Sequence, residues 1–161
     1  MRIFMKLTNA TEQALAILAI LATQTEDVPA SSQAIYKKLS VSQSYVKKLL
    51  RKLVVSKVIE GVSGNNGGFY IEKNLDDISL LEIVESIEGP LHSFPHVGVL
   101  ERAFSDFNEF AQDGNEVISK VFTKADHKWN EELRHVSVHD MLSEVFQDYG
   151  EIPKRDWNQY I

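Results

Sequence analysis

The chain has 161 residues, 43% of them hydrophobic, and a formal net charge of −6, which is apolar content enough for one compact domain or a small domain with an appended element. With no cysteine at all, disulfides, thiolate metal or iron–sulfur sites and thiol catalysis are excluded. The longest apolar run, Ala14 to Ala22, falls far short of the roughly 20 residues a bilayer span needs, and the N-terminus lacks the basic, apolar and small-residue order of a signal peptide, so the default compartment is the cytoplasm with no membrane partner.

Leu7 to Ala22 is predicted to be a helix, with Asn9 as N-cap and Glu12 three residues on. Leu15, Ile17, Leu18, Ile20 and Leu21 leave it apolar on nearly every side, which implies two packing partners, one local and the other a C-terminal element or a second subunit. Lys6 and Thr8 stand at its start, where a helix N-terminus either holds a phosphate or simply meets solvent.

A polar connection, Thr23 to Ala30, leads to a second helix capped by Ser31 or Ser32, with Ala34, Ile35 and Leu39 inward. Ser40-Val41 is a short turn in which Val41 plugs the corner. Ser42 then caps a third helix whose inward stripe is Val46, Leu49, Leu50, Leu53 and Val54. Two helices on a tight turn make a helix-turn-helix candidate. Helical geometry points Gln43, Ser44, Lys47, Lys48 and Arg51 outward, with Tyr45 at the margin. In such a motif the N-terminal part of the second helix meets base edges in the major groove. Gln43, Ser44 and Lys47 would lie there, Gln suited to adenine and Lys to guanine, with Lys48 and Arg51 placed as phosphate contacts. A solvated amphipathic helix shows the same outward pattern. Charge adds a second signal: between Val28 and Ile59 there are seven basic residues and no acid, +7 in a chain whose remainder carries −13. That concentration is the electrostatic footprint of a nucleic-acid reader.

Val58 to Val62 and Phe69 to Ile71 are short β-type runs around Ser63-Gly64-Asn65-Asn66-Gly67-Gly68, a hairpin. A hairpin directly after a helix-turn-helix is the wing of a winged helix. Its glycines permit positive φ and close approach to a phosphate or groove, and a purely structural hairpin would need fewer of them. Ser63, Gly64, Asn65 and Asn66 are the wing's candidate DNA contacts.

Ser79 to Glu88 is the next helix, with a Ser79–Glu82 capping box and an inward stripe of Leu80, Ile83, Val84 and Ile87. His92 and His96 follow in a loop, and His135 and His139 repeat the spacing. Two histidines without a third ligand do not make a metal site, and no metal is assigned. From Val97 onward Leu100, Ala103, Phe107, Phe110, Gly114, Val117 and Val121 recur at spacings of 3 and 4, widened by Phe104, Ala111, Ile118, Phe122 and Trp129. That is a seam for another helix. It reads as a dimerisation helix with Leu100, Phe104, Phe107, Phe110, Val117 and Val121 at the interface, intramolecular packing alone being the alternative, and Gly114 marks either an interruption or a close helix crossing. Ser137 and Asp140 cap a last helix, and the tail from Glu151, with Trp157 and Tyr160, is expected to dock on the body or on a partner.

Met5-Lys6-Leu7-Thr8, Val41-Ser42-Gln43-Ser44-Tyr45-Val46, Arg51-Lys52-Leu53, the wing from Ser63 to Phe69 and Ile78-Ser79-Leu80-Leu81-Glu82-Ile83 together resemble the Rrf2 family of bacterial winged-helix transcription regulators, of IscR, NsrR and CymR type. The resemblance implies a homodimer on a palindromic double-stranded DNA operator, recognition helix in the major groove and wing in the minor groove. It departs at two places. The family's wing arginine and Pro-Gly are replaced by Ser63, Asn65 and Asn66, and its three cluster-binding cysteines by a loop containing Ser93, Phe94 and Pro95, so the chain looks like the cluster-free branch with no cofactor.

The expected architecture is mainly α with a small β-hairpin: a winged helix-turn-helix DNA-binding domain over residues 1–90, then a dimerisation helix, C-terminal helix and tail over 91–161. The expected function is a homodimeric, sequence-specific transcription regulator acting as a repressor. The alternative is a winged-helix module that binds protein rather than DNA. An enzyme is disfavoured, since no nucleophile–base pair, phosphate loop or paired carboxylates stand out and no catalytic residue is assigned. The signal is left open among a small molecule between the wing domain and the long helix, a partner protein, and a metal on the histidines.

Overall fold

In the computed structural model, which describes residues 7–161, the first apolar stretch forms α1 (Asn9–Ala22), with Thr8 rather than Asn9 in the N-cap position. The cap's side chain makes no capping bond within the helix. A distant carboxylate closes the end instead: Glu88 Oε1 accepts from Thr8 N at 2.9 Å, Thr8 Oγ1 at 2.6 Å and Thr11 Oγ1 at 2.5 Å. An anion there meets unsatisfied N–H groups and the positive end of the helix dipole. The start of α1 is therefore already occupied by an acid of the chain itself, and Lys6 lies outside the described residues.

Ala14, Ile17, Leu18 and Leu21 of α1 are buried, and the helix packs on α2 (Ser32–Leu39), α3 (Gln43–Val55) and α4 (Leu80–Glu88). Ser31 is the α2 cap, its Oγ accepting from Ala34 N at 3.1 Å. Ser40 takes a left-handed conformation, φ 54°, and Val41 packs half-buried against the core at the corner. α3 buries Val46, Leu49, Leu50 and Leu53, the stripe its spacing dictates. After Lys57, with φ 57°, the buried pair Val58 and Ile59 leads into β1 (Glu60–Val62), which pairs antiparallel with β2 (Gly68–Tyr70). Ala30 adds a further rung: Ala30 N donates to Phe69 O and Phe69 N to Ala30 O, both at 2.9 Å. The result is a winged helix-turn-helix.

The C-terminal segment joins this same body. Leu80 N donates to Val136 O (2.8 Å) and Val138 N to Ile78 O (2.9 Å), so the starts of α4 and α7 (Val138–Val145) lie side by side. Each start carries a complete capping box, Ser79 with Glu82 and Ser137 with Asp140. The tail then returns along the α1–α2 connection, Gln24 bridging to Arg155. Residues 7–89 and 133–161 thereby form one compact unit and 90–132 another, whereas the sequence grouped the tail with the long helix.

In the second unit, α5 (Val99–Ala103) and a 3-10 turn at Ser105–Phe107 precede α6 (Asn108–Arg134). The helix expected from Val97 is thus broken at Phe104, whose ring turns edge-on to Phe110 at 5.7 Å. No break occurs at Gly114. One glycine costs a helix interior roughly 0.5–1 kcal/mol, and α6 runs through it. Among the described residues no helix is long and apolar enough to cross a membrane.

Candidate nucleic-acid interface

With Val46, Leu49, Leu50 and Leu53 locked in the core, α3 presents Gln43, Ser44, Lys47, Lys48 and Arg51 to solvent, and Tyr45 is half-buried against the core. None of Lys47, Lys48 and Arg51 forms an ion pair among the described residues. No acid stands in the first turn of α3 either, so this end of the helix keeps its positive potential. The cations of the 28–59 stretch do not all serve this face. Lys52 Nζ donates to Ile87 O at 2.7 Å and closes the end of α4. Lys38 Nζ lies over the rings of Trp157 (5.6 Å) and Tyr160 (5.8 Å). Lys37, Lys47, Lys48, Arg51 and Lys57 remain exposed beside them.

The wing tip exposes Ser63, Gly64, Asn65 and Asn66. Its glycines divide by cause. Gly64 has φ 114° with open space where a Cβ would stand, which suits close approach to a groove. At Gly67 a Cβ would overlap the carbonyls of Val62 and Gly64, and at Gly68 that of Ala30. Those two are demanded by the hairpin's own packing, which corrects the expectation that a structural hairpin needs fewer glycines. The side chains offered at the tip are a hydroxyl and two amides, shorter and uncharged where an inserted arginine would reach into a narrow minor groove.

Residues 7–144 match the model of the Rrf2 family, described as iron-dependent transcriptional regulators. The chain belongs to the Rrf2 family. YwgB of Bacillus subtilis (strain 168), named as an HTH-type transcriptional regulator, is 30% identical over 153 residues, 95% of this chain and 94% of that protein. The solved structure of CymR, the global cysteine regulator of B. subtilis, is similar with a TM-score of 0.58 at 17% identity, covering 88% of this chain and 98% of that one. IscR of T. potens gives 0.59 at 20% identity, covering 98% and 97%. These two structures carry the fold. The chain is a transcriptional regulator of this family.

The Rrf2 description names iron, and the donors of this chain do not fit a thiolate-held cluster, because it has no cysteine. The loop after Gly89-Pro90 is engaged in packing. Ser93 N donates to Asp126 Oδ2 at 3.1 Å, and Phe94 stacks on Phe122 at 5.2 Å between centroids. His96 Nε2 meets Glu101 Oε1 at 2.9 Å, and Asn115 Nδ2 donates to the same oxygen. Glu101's own backbone N–H, then His96, hold that carboxyl below its usual range. His139 Nδ1 pairs with Asp76 Oδ1 at 3.1 Å. Among the described residues no three His, Cys, Asp or Glu side chains gather as metal ligands.

The second unit shows where its stripe lies. Phe107, Phe110, Val117 and Val121 are between 62% and 68% exposed, Phe104 is exposed and Leu100 half-buried. Sequence reasoning missed the polar partners that hold the tail, Gln24 and Asn158, because neither lies in a motif. Trp157 and Tyr160 gave the one usable signal, aromatic surface too large for a solvated tail.

Proposed function

We propose that this chain is a homodimeric, sequence-specific DNA-binding repressor that works without an iron–sulfur cluster. The observation that carries this reading is the face of α3, where Gln43, Ser44, Lys47, Lys48 and Arg51 stand exposed, with no ion pair on the three cations, on a helix whose other side is fixed in the core. Gln43, Ser44 and Lys47 read base edges in the major groove, while Lys48 and Arg51 hold phosphates. Ser63, Gly64, Asn65 and Asn66 meet the minor groove through backbone and amides. A second copy packs on Leu100, Phe104, Phe107, Phe110, Val117 and Val121 and spaces the two recognition helices for two half-sites. Operator occupancy blocks polymerase, and an effector acts by changing that spacing or its rigidity.

Selection from random duplexes at moderate salt tests this. A motif of two related half-sites is expected, with log K falling linearly against log salt at a slope set by the phosphates neutralised. Failure to enrich any motif, or a flat salt response, would overturn the reading in favour of a winged-helix module for protein partners.

A further inference from the structure

The C-terminal tail grips the α1–α2 connection along its length. Thr25 N donates to Arg155 O (3.0 Å) and Arg155 N to Thr23 O (2.9 Å). Trp157 N donates to Gln24 Oε1 (2.9 Å) and Trp157 Nε1 to Thr23 Oγ1 (3.0 Å). Asn158 then holds both neighbours of Ala30: Ser31 N donates to its Oδ1 (2.9 Å), and its Nδ2 donates to Pro29 O (3.0 Å). Ala30 is the residue paired with Phe69 of the wing, and Ser31 is the cap of α2. Trp157 and Tyr160 also seat Lys38 of α2. The tail therefore bears on the wing root and the helix-turn-helix together.

Against this clamp lies a cavity of about 470 Å³, walled by Ala19 and Ile20 of α1, Leu142 and Val145 of α7, Phe146, and Trp157 of the tail. Its wall is almost wholly apolar, and the polar side chains on it are engaged. Lys154 Nζ donates to Ala22 O (2.8 Å). The Arg155 guanidinium lies over the Trp157 and Tyr160 rings (5.2 and 4.8 Å). The Thr23 hydroxyl donates to Ala19 O (2.7 Å) while accepting from Trp157. Neither cation meets a carboxylate among the described residues, but each is already held, Lys154 on a backbone carbonyl and Arg155 on two rings, and water inside would find few partners. The volume falls within the usual range for small-molecule sites.

We propose that this cavity is an effector site for a neutral, mainly apolar small molecule, sensed through Trp157. A molecule that prefers one placement of Trp157 shifts the population of clamped tails, and so the hold on α2 and the wing root. The regulatory half of this proposal rests on the DNA-reading function proposed above.

The probe is N-phenyl-1-naphthylamine, a neutral apolar fluorophore, titrated into the full chain with isoleucine, leucine and valine methyl NMR to locate it. Expected are saturable binding of one probe per chain, methyl shifts at Ile20, Leu142 and Val145, and a change of at least threefold in affinity for the selected operator. Ala19→Phe fills the cavity, and Val145→Lys charges its rim at a residue 69% exposed, where folding tolerates the change. Each is expected to weaken the probe at least tenfold, and Val145→Lys to leave probe-free operator binding intact. Absence of saturable binding, shifts confined to the aromatic face of α6, or a probe affinity unchanged in both variants would overturn the site. Binding in the cavity with operator affinity unmoved would overturn its link to DNA. A chain that selects no operator at all defeats the DNA-reading function, while the probe and its loss in Val145→Lys still judge the cavity.

Discussion

The two compact units are built on opposite terms. Among the described residues 22 hydrophobic ones are buried, and of these only Ala111 lies between 90 and 132, while Phe107, Phe110, Val117 and Val121 there stand more than 60% exposed. The winged-helix body has its own core around Ile17, Leu18, Ile35, Leu50, Leu53 and Ile83, and the starts of α2, α4 and α7 carry side-chain caps. One chain completes the body, whereas the α6 unit presents apolar surface that a monomer rarely exposes at this extent. The sharpest break of that contrast is Phe110→Lys with Val117→Lys. Light scattering should then give a monomer, and affinity for a two-half-site operator should fall by about 1,000-fold, or about 4 kcal/mol, with the body's unfolding midpoint unmoved. A variant that stays dimeric would remove these residues from the interface.

Within the body, the next contrast sets two lysines of α3 against a third. Lys47 and Lys48 face solvent, and Lys52 is spent on Ile87 O. Lys47→Ala with Lys48→Ala should cost roughly 100-fold in operator affinity and, through the phosphate contact of Lys48, reduce the salt slope by about 1. Lys52→Ala should leave the salt slope alone and lower stability by about 1 kcal/mol in denaturant titration. Equal salt slopes for both variants would show that the division of the basic run is wrong.

How legible this was depends on the range of the interaction. The fold elements follow local rules: the 3-1-3 spacing of Val46 to Leu53 and the capping boxes at Ser79 and Ser137 survive unchanged in the structure. The exposed face of α3 follows from its buried one. Long-range pairing was not legible. A charge count cannot tell that Lys52 caps a helix 35 residues away, or that Lys38 rests on the tail. Nor can spacing tell that Gly68 answers to the carbonyl of Ala30. The break at Phe104 escaped because the apolar repeat continues straight across it, and periodicity sees side chains rather than backbone.

The tail offers a smaller test. Asn158→Ala removes two hydrogen bonds to backbone at Pro29 and Ser31, worth together about 1–2 kcal/mol. Hydrogen exchange at the Ser31 amide should rise by at least tenfold while amides in the middle of α3 hold, and operator affinity should weaken by a few-fold. Unchanged exchange at Ser31 would mean the clamp is not a constraint in solution.

The smallest effect belongs to Glu88. It ends α4, where a negative charge opposes that helix's dipole, and it serves the start of α1, where the same charge is favourable. Partial burial alone would raise its carboxyl, but the hydroxyls of Thr11 and Thr8 and the Thr8 N–H outweigh that and hold it below 4.5. A carboxyl depressed by folding binds its proton more readily in the unfolded chain. Its contribution is therefore complete above about pH 4.5 and is lost as pH falls through the lower, folded value. Because the group is solvent-exposed, that contribution is about 1 kcal/mol at most. Glu88→Gln keeps an acceptor and removes the charge, so the stability difference from the parent should be present at pH 7 and close on acidification below about 4.5. A difference that stays constant down to pH 3 would mean that Glu88 acts through its shape alone.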